Sequence, residues 1–360
     1  MEPREVPAPK HSPTGSKNDQ DDYLDSRLPS MRNYSRNEVF YMSLSREAIA
    51  ERYATSLRAL SEIATAYYFQ GRIDEALHLF QTGEQWLSAR ETLPEDQLNF
   101  LLKYGQFLVH NYFLANRAED LMLSVVQRAR QAAEADQDQA GIATALFLTG
   151  QTLYYHNLLA GGSDYSEARD YFERSSALRE KIGDSYNLAE SLFYTGLTYD
   201  RQYPDERAKE YFQRALQLAE QHGNKWAASE AMRHLTDHTD GEQRLSNALR
   251  SLKLREEMGF KRALPAAQLL LSDIYIERGD MAQALEYCQQ AEQLCEEMNL
   301  QSYLMGALLA RGDIAYKQGQ LDKARAHFEQ AAALARELNL AYGIAEANEK
   351  LALLAREQND

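Results

Sequence analysis

The chain of 360 residues contains only two cysteines, Cys288 and Cys295, which are seven positions apart. On a helix that separation is roughly 10 Å, which is too long for a disulfide bond. A fold held together by disulfides is therefore excluded, and we expect reduced thiols in a hydrophobic core. This pattern favours a cytoplasmic location.

Positive charge is also scarce, since 39 lysines and arginines stand against 54 aspartates and glutamates, for a formal net charge of −15. Such a charge repels a phosphate backbone, so we expect no nucleic-acid partner. Long hydrophobic runs are missing as well. Because no segment has the length of a signal-peptide core or a membrane span, we expect neither secretion nor membrane insertion.

The sequence lacks the motifs of common catalytic sites. It has no glycine-rich phosphate loop, no Gly-x-Ser-x-Gly element and no cysteine in a nucleophile setting. His234 and His238 have a spacing that can bind zinc, but Leu235 stands where a zinc protease has its glutamate. We therefore expect no enzyme activity, no metal and no cofactor. The alternative is a metal-dependent enzyme that uses these histidines with nearby aspartates.

Proline is concentrated at the N-terminus, where five of the eight prolines precede residue 30. The same stretch has few apolar residues to bury, so residues 1–43 are predicted to be a disordered tail. Residues 44–360 are predicted to form one folded domain.

What the chain does contain is a repeat of about forty residues. An alanine recurs near the start of every second predicted helix, and from Ala168 onward its spacing is 40, 40, 36 and 40 residues. A period of this length indicates stacked helix pairs. The repeat alanines are Ala76, Ala118, Ala168, Ala208, Ala248, Ala284 and Ala324.

Most repeats combine a small residue with the alanine, and several also have an aromatic residue. In the last copy Gly312 precedes Ala324 by twelve residues, and Phe328 follows one helical turn later on the same face. Gly319 lies between the two helices, where a left-handed residue lets the chain reverse. Residues that can end the second helix follow at Gly183, Gly223, Gly259, Asn299 and Asn339.

This pattern resembles the tetratricopeptide repeat in its longer form of roughly forty residues. That form is known from bacterial peptide-responsive regulators and from eukaryotic scaffold proteins. The resemblance covers about residues 45–356. It implies an all-α, right-handed α-solenoid of about seven antiparallel helix pairs, with a C-terminal capping helix at about 342–356. Two units depart from the pattern: the second, near Gly105 to Ala118, keeps only its outline, and the fifth has Thr236 where the small residue belongs.

The third unit carries an insertion. Gly150 and Ala168 are eighteen residues apart instead of twelve. We predict that residues 156–163 form a loop at one edge of the solenoid. Insertions in repeat proteins often lie on the binding face, so this edge is an alternative to the concave groove as the binding surface.

The helical phase predicts which side chains face the concave groove. Residues six before, three before, one after and five after the small residue share one face of the first helix. From these positions we select candidates for a peptide-binding groove, which pass from aromatic to acidic along the chain. They are Phe147, Gln151, Tyr155, Phe193, Arg201, Arg233, Asp237, Asp273, Glu277, Asp313 and Lys317.

Asp237, Asp273 and Asp313 occupy the same position in successive repeats. A row of carboxylates could accept hydrogen bonds from a peptide backbone or attract a basic segment. Alternatively, these aspartates solvate the helix face or pair with Arg233 and Lys317. The sequence favours an interaction module or scaffold that binds a segment of an unidentified protein or peptide in its groove. A peptide-responsive regulator is the alternative.

Overall fold

The computed structural model describes residues 45–115, 119–202 and 206–357. The predicted tail at 1–43 and the repeat alanine Ala118 lie outside these ranges. Within them the chain forms fifteen α-helices and no strands, so the predicted all-α class is confirmed. None of the described helices is both long enough and apolar enough to span a bilayer.

The helices form seven successive pairs followed by a last single helix, and from Ile49 onward they belong to one compact unit. The α-solenoid predicted from the repeat is therefore confirmed. Two 3-10 turns, Thr236–His238 and Lys261–Ala263, precede α10 and α11. The helices are α1 Arg46–Phe69, α2 Ile73–Glu84, α3 Pro94–Ala115, α4 Glu119–Asp136, α5 Gln139–Ala160, α6 Ser166–Ile182, α7 Ser185–Gln202, α8 Glu206–His222, α9 Lys225–Leu235, α10 Gly241–Met258, α11 Leu264–Glu277, α12 Met281–Glu297, α13 Gln301–Lys317, α14 Leu321–Glu337 and α15 Ala341–Glu357.

Steric fit explains the glycine at the small-residue position of the third and fourth repeats. A Cβ atom at Gly196 would lie 2.8 Å from the ring of Phe212, and one at Gly150 would lie 2.7 Å from the ring of Phe172. Both rings are fully buried and fill the space that a methyl group would need. The small residue and the aromatic residue are therefore two halves of one contact between paired helices.

The predicted helix ends are confirmed by the backbone. Gly71, Gly279 and Gly319 have φ angles of 82°, 79° and 73°, in the left-handed region that a turn between paired helices requires. The residues that end the second helices are also left-handed. They are Gly183, Gly223, Gly259, Asn299 and Asn339.

The prediction of a loop at residues 156–163 is wrong. Helix α5 continues through Ala160 and ends at Gly161, which has a φ angle of 71°. Leu159 is buried, and a Cβ atom at Gly161 would lie 2.8 Å from the Cβ atom of Ala341 in α15. The inserted leucines and alanine favour helix and have apolar side chains to bury, so the insertion lengthens α5 until it reaches the last helix.

The fifth repeat changes its helix geometry at Thr236. Helix α9 ends at Leu235 and continues as a 3-10 turn through His238. The Thr236 hydroxyl donates to the carbonyl of Arg233 at 2.5 Å, and the Thr239 hydroxyl donates to that of Leu235 at 2.9 Å. Such bonds to the preceding turn compete with the regular helix. The turn takes the following residues out of the α-helical phase on which their predicted faces depend.

The repeats curve until early helices meet late ones. Phe113 of α3 packs edge-on against Tyr303 of α13, with 6.3 Å between ring centroids. Tyr68 of α1 lies 5.6 Å from Phe260, which precedes α11. These contacts narrow the inner surface of the solenoid to a pocket with an adjoining groove.

Candidate functional site

A pocket of about 170 Å³ lies where the early and late helices meet. Its walls come from both halves of the chain, and aromatic rings form much of them. The aromatic lining includes Tyr68, Phe113, Tyr155, Phe193, Trp226 and Tyr303. We call this space the central pocket.

Two tyrosines stiffen the wall of the central pocket. The hydroxyls of Tyr155 and Tyr194 are 2.6 Å apart and share a hydrogen bond. Burial raises the pKa of Tyr155 well above its ordinary value, so its hydroxyl stays protonated at neutral pH. The wall is therefore uncharged here and can offer hydrogen bonds.

Three arginines, Arg201, Arg233 and Arg262, also line the central pocket. Glu230 faces the same space, but its carboxylate accepts hydrogen bonds from Arg233 at 3.0 Å and from Arg255. Burial opposes the ionisation of Glu230, yet Arg255 and Arg233 outweigh it and hold its pKa below the ordinary value. Glu230 is thus an ionised carboxylate whose charge is balanced by the guanidinium groups of Arg233 and Arg255.

The two candidate metal ligands, His234 and His238, contact different partners. His234 Nε2 lies 2.6 Å from Arg233 Nη2, and because arginine can only donate, this nitrogen is the acceptor. Burial and the neighbouring Arg233 lower the pKa of His234 well below its ordinary value, so the ring is neutral. His238 Nε2 instead lies 3.4 Å from Asp200 Oδ1. In the described part of the chain, no three His, Cys, Asp or Glu residues form a cluster that could hold a metal ion.

A larger hollow of about 650 Å³ adjoins the central pocket, and Tyr303 lines both spaces. We call it the acidic groove. All three aspartates of the predicted row line it, together with two neighbouring charged residues of the prediction. These residues are Asp237, Asp273, Glu277, Asp313 and Lys317.

The carboxylates of the acidic groove differ in their pairing. Asp313 accepts from Lys350 of α15, whose Nζ lies 2.8 Å from both carboxylate oxygens. Glu277 pairs with Arg244. The cation that meets Asp313 therefore comes from the last helix, and not from Lys317 one turn away on the same helix.

Asp273 has a strongly perturbed carboxyl group. It is open to the groove, but the surrounding walls desolvate its carboxyl, and Asp313 and Glu346 repel its negative charge; together they raise its pKa to about 7. Desolvation and the nearby Asp200 also raise the pKa of Asp237. A cationic group entering the groove would relieve this repulsion and favour the ionised forms.

The structure divides the predicted groove residues into three sets. The first lines the central pocket and contains Tyr155, Phe193, Arg201 and Arg233. The second lines the acidic groove and contains Asp237, Asp273, Glu277, Asp313 and Lys317. Phe147 and Gln151 form the third set and are buried in the repeat core, where Phe147 packs against Phe172 with 5.8 Å between ring centroids.

Several residues of the site were missed from the sequence. Trp226, Arg262 and Tyr303 line the central pocket but do not occupy the four helix positions used for the prediction. Lys350 pairs with Asp313 from a helix that was assigned only a capping role. No periodic signal marks these residues, because they enter the site through the curvature of the whole solenoid.

Comparison with protein families finds the tetratricopeptide repeat in four segments of the chain. Models of this repeat match residues 56–82, 190–221, 265–297 and 306–338. This chain is a tetratricopeptide repeat protein. No curated protein is similar enough in sequence to match it.

Solved structures share the fold of this tetratricopeptide repeat protein at low sequence identity. A Rap protein complexed with competence and sporulation factor is 18% identical with a TM-score of 0.59, over 86% of this chain and 88% of that one. The apo form of RapI is 13% identical with a TM-score of 0.54, over 78% and 98% of the two chains. The apo quorum sensor NprR from B. thuringiensis is 13% identical with a TM-score of 0.50, over 85% and 82%. At these identities the likeness concerns the fold alone.

Proposed function

We propose that this protein is a regulator that binds a short linear peptide in its central pocket and acidic groove. The observation that carries the proposal is the contact between Phe113 and Tyr303, which closes the solenoid around the pocket. A ligand held there touches early and late helices at once. Its binding free energy would therefore favour one arrangement of the two halves over others.

The size of the two spaces supports a short extended ligand. A helix with its side chains is about 10–12 Å wide, which is too wide for a pocket of about 170 Å³. The central pocket, at about 170 Å³, is smaller than the roughly 300–1,000 Å³ typical of small-molecule sites. It suits one side chain or one chain end, and the acidic groove of about 650 Å³ can take the residues next to it.

Charge supports a ligand with a basic group in the acidic groove. Asp237 and Asp273 both have raised pKa values because their negative charges are poorly solvated and repel other carboxylates. An ammonium or guanidinium group beside them would form charge-assisted hydrogen bonds. Binding would then release a proton from Asp273 below about pH 7, so affinity should fall as the pH is lowered.

The solved structures with the same fold are consistent with this role. One is a Rap protein in complex with competence and sporulation factor, and another is a quorum sensor. A ligand-responsive function therefore has precedent in this architecture.

Charge reversal of the aspartate row tests the proposal. The full chain is incubated with a random pool of pentapeptides, and the retained peptides are identified by mass spectrometry. We expect the wild type to retain peptides enriched in lysine or arginine, and the triple variant Asp237→Lys, Asp273→Lys, Asp313→Lys to lose them.

A matched control changes the same number of exposed aspartates away from the groove. This variant, Asp74→Lys, Asp136→Lys, Asp322→Lys, should retain the same peptides as the wild type. Identical peptide sets from the wild type and the groove variant would show that the aspartate row takes no part in binding.

A further inference from the structure

We infer that the central pocket binds the C-terminal carboxylate of the peptide, with an apolar or aromatic last residue against the ring walls. This inference rests on the proposed function, but it depends on different residues from the aspartate row. They are Arg201, Arg233 and Arg262.

Two of these arginines have hydrogen-bonding capacity left over. Arg262 is only 2% exposed; its Nη1 makes one long bond of 3.4 Å to the carbonyl of Met298, and its side chain also hydrogen-bonds with that of Tyr68. Arg233 donates through Nη2 to Glu230 and His234. The Nε atoms of Arg262 and Arg233 are both buried, and neither meets an acceptor in the described residues. A guanidinium group presents its N–H groups as a planar fork that matches a carboxylate.

The central pocket is locally positive in a protein whose net charge is −15. Glu230 offsets only one positive charge, and Arg255 behind the wall adds another to those of the three arginines. Burial lowers the pKa of His110 to about 4, so this ring adds no charge at neutral pH. Arg201 at the exposed mouth donates to the hydroxyl of Tyr154 at 3.4 Å and keeps its charge. The pocket therefore attracts an anionic group.

The shape of the central pocket favours a chain end over the middle of a chain. Tyr68, His110, Trp226 and Phe260 line both this pocket and a separate hollow of about 590 Å³ on their other side. These four rings stand between the two spaces. A peptide that enters from the acidic groove meets them at the far side, and about 170 Å³ holds little more than one residue, so we assign that residue to the end of the chain.

The two charged spaces together set the direction of the peptide. The carboxylate end lies against Arg262, and the chain leaves past Tyr303 into the acidic groove. Its N-terminal ammonium group or a basic side chain then approaches Asp273 and Asp313. The aromatic walls exclude water around the carboxylate, which strengthens its bonds to the arginines.

The test uses the full chain and two random pentapeptide pools in equal amounts, one with free C-terminal carboxylates and one with C-terminal amides. Retained peptides are identified by mass spectrometry. We expect free acids to be retained in at least about tenfold excess over amides, with apolar or aromatic last residues.

The outcomes separate this inference from the proposed function. Equal retention of acids and amides would overturn the inference and leave peptide binding in place. Retention of amides only when they contain aspartate or glutamate would assign the carboxylate to a side chain and overturn the chain-end assignment. Retention of neither pool would overturn both proposals.

Variants of the arginines test the same point. Arg262→Gln and Arg201→Gln should lose the preference for acids, whereas Arg250→Gln should keep it, because Arg250 is exposed and pairs with Glu220 on another surface. Thermal unfolding confirms that each variant is folded. Arg262→Gln is the decisive variant, because the carboxylate end lies against Arg262, and Arg201→Gln at the exposed mouth tests the added attraction of the positive pocket. An unchanged preference for acids in folded Arg262→Gln would contradict the inference.

Discussion

The ring of Phe113 meets the ring of Tyr303 edge-on, with 6.3 Å between the centroids and 80° between the planes. On its other side, Phe113 stacks on Tyr155 at 4.6 Å. These three rings belong to helices α3, α13 and α5, so they join distant repeats at the central pocket. Any movement of the early helices relative to the late ones must change this contact.

The first prediction concerns this closure. Replacing Phe113 and Tyr303 by alanine, singly and together, should reveal a coupling free energy of about 0.5–1.5 kcal/mol in urea unfolding, because the rings interact directly. Either replacement should also increase the radius of gyration measured by small-angle X-ray scattering. Strictly additive effects would show that the contact does not stabilise the closed solenoid.

A local ring pair provides the control for closure. Tyr275 and Tyr287 stack at 5.7 Å within one helix pair, α11 and α12. Their replacement by alanine should destabilise the protein by a similar mechanism but leave the radius of gyration unchanged.

The second prediction concerns the small residue of the repeat. A Cβ atom at Gly312 would overlap the buried ring of Phe328, so Gly312→Ala should lower the free energy of unfolding by about 1–3 kcal/mol. Gly306→Ala in the same helix is the control, because its Cβ atom would approach only the end of the Leu269 side chain, at 3.2 Å. The gain in helix propensity from glycine to alanine, up to about 1 kcal/mol, should offset the cost of that contact. Equal effects of the two changes would contradict the steric explanation.

The third prediction concerns the buried ion pair. Glu230→Gln leaves the guanidinium groups of Arg255 and Arg233 without their carboxylate, and we expect a loss of about 3–5 kcal/mol in chemical denaturation. Glu220→Gln removes a comparable charge from an exposed pair with Arg250 and should change stability by no more than about 1 kcal/mol. A similarly small effect at Glu230 would mean that the pair does not hold α9 and α10 together.

The fourth prediction concerns pH. The pKa of Asp273 is about 7 in the folded protein against an ordinary value of 3.8, so the folded state binds this proton more tightly than the unfolded state. Stability should therefore fall as the pH rises between these two values. Asp273→Asn mimics the protonated form and should flatten this part of the profile, measured as Tm between about pH 5 and pH 8.

An exposed aspartate provides the control for the pH profile. Asp136→Asn lies at the end of α4, away from the acidic groove, and should leave the slope of Tm against pH as in the wild type. An unchanged slope in Asp273→Asn as well would show that another group causes the pH dependence.

The sequence alone determined the repeat and much of its local structure. The fit of Gly196 against Phe212 and the left-handed turn at Gly319 recur with the period, because each depends on residues within one helix pair. The assignment of helix faces also named some residues that line the two spaces, Tyr155 and Arg233 in the central pocket and Asp273 and Asp313 in the acidic groove. Neighbouring repeats share their helix phase, so this part of the site could be anticipated.

Only the tertiary structure decided how the repeats close and what the site contains. The insertion after Gly150 proved to be a longer helix that meets Ala341, and Thr236 moved Asp237 out of regular phase. Arg262, in the 3-10 turn before α11, and Tyr303 of α13 reached the pocket from far along the chain. The rotation between successive repeats depends on side-chain packing at every interface, and small rotations add up along a solenoid. A period in the sequence fixes the unit that is stacked, whereas the summed rotations decide which distant side chains face one another.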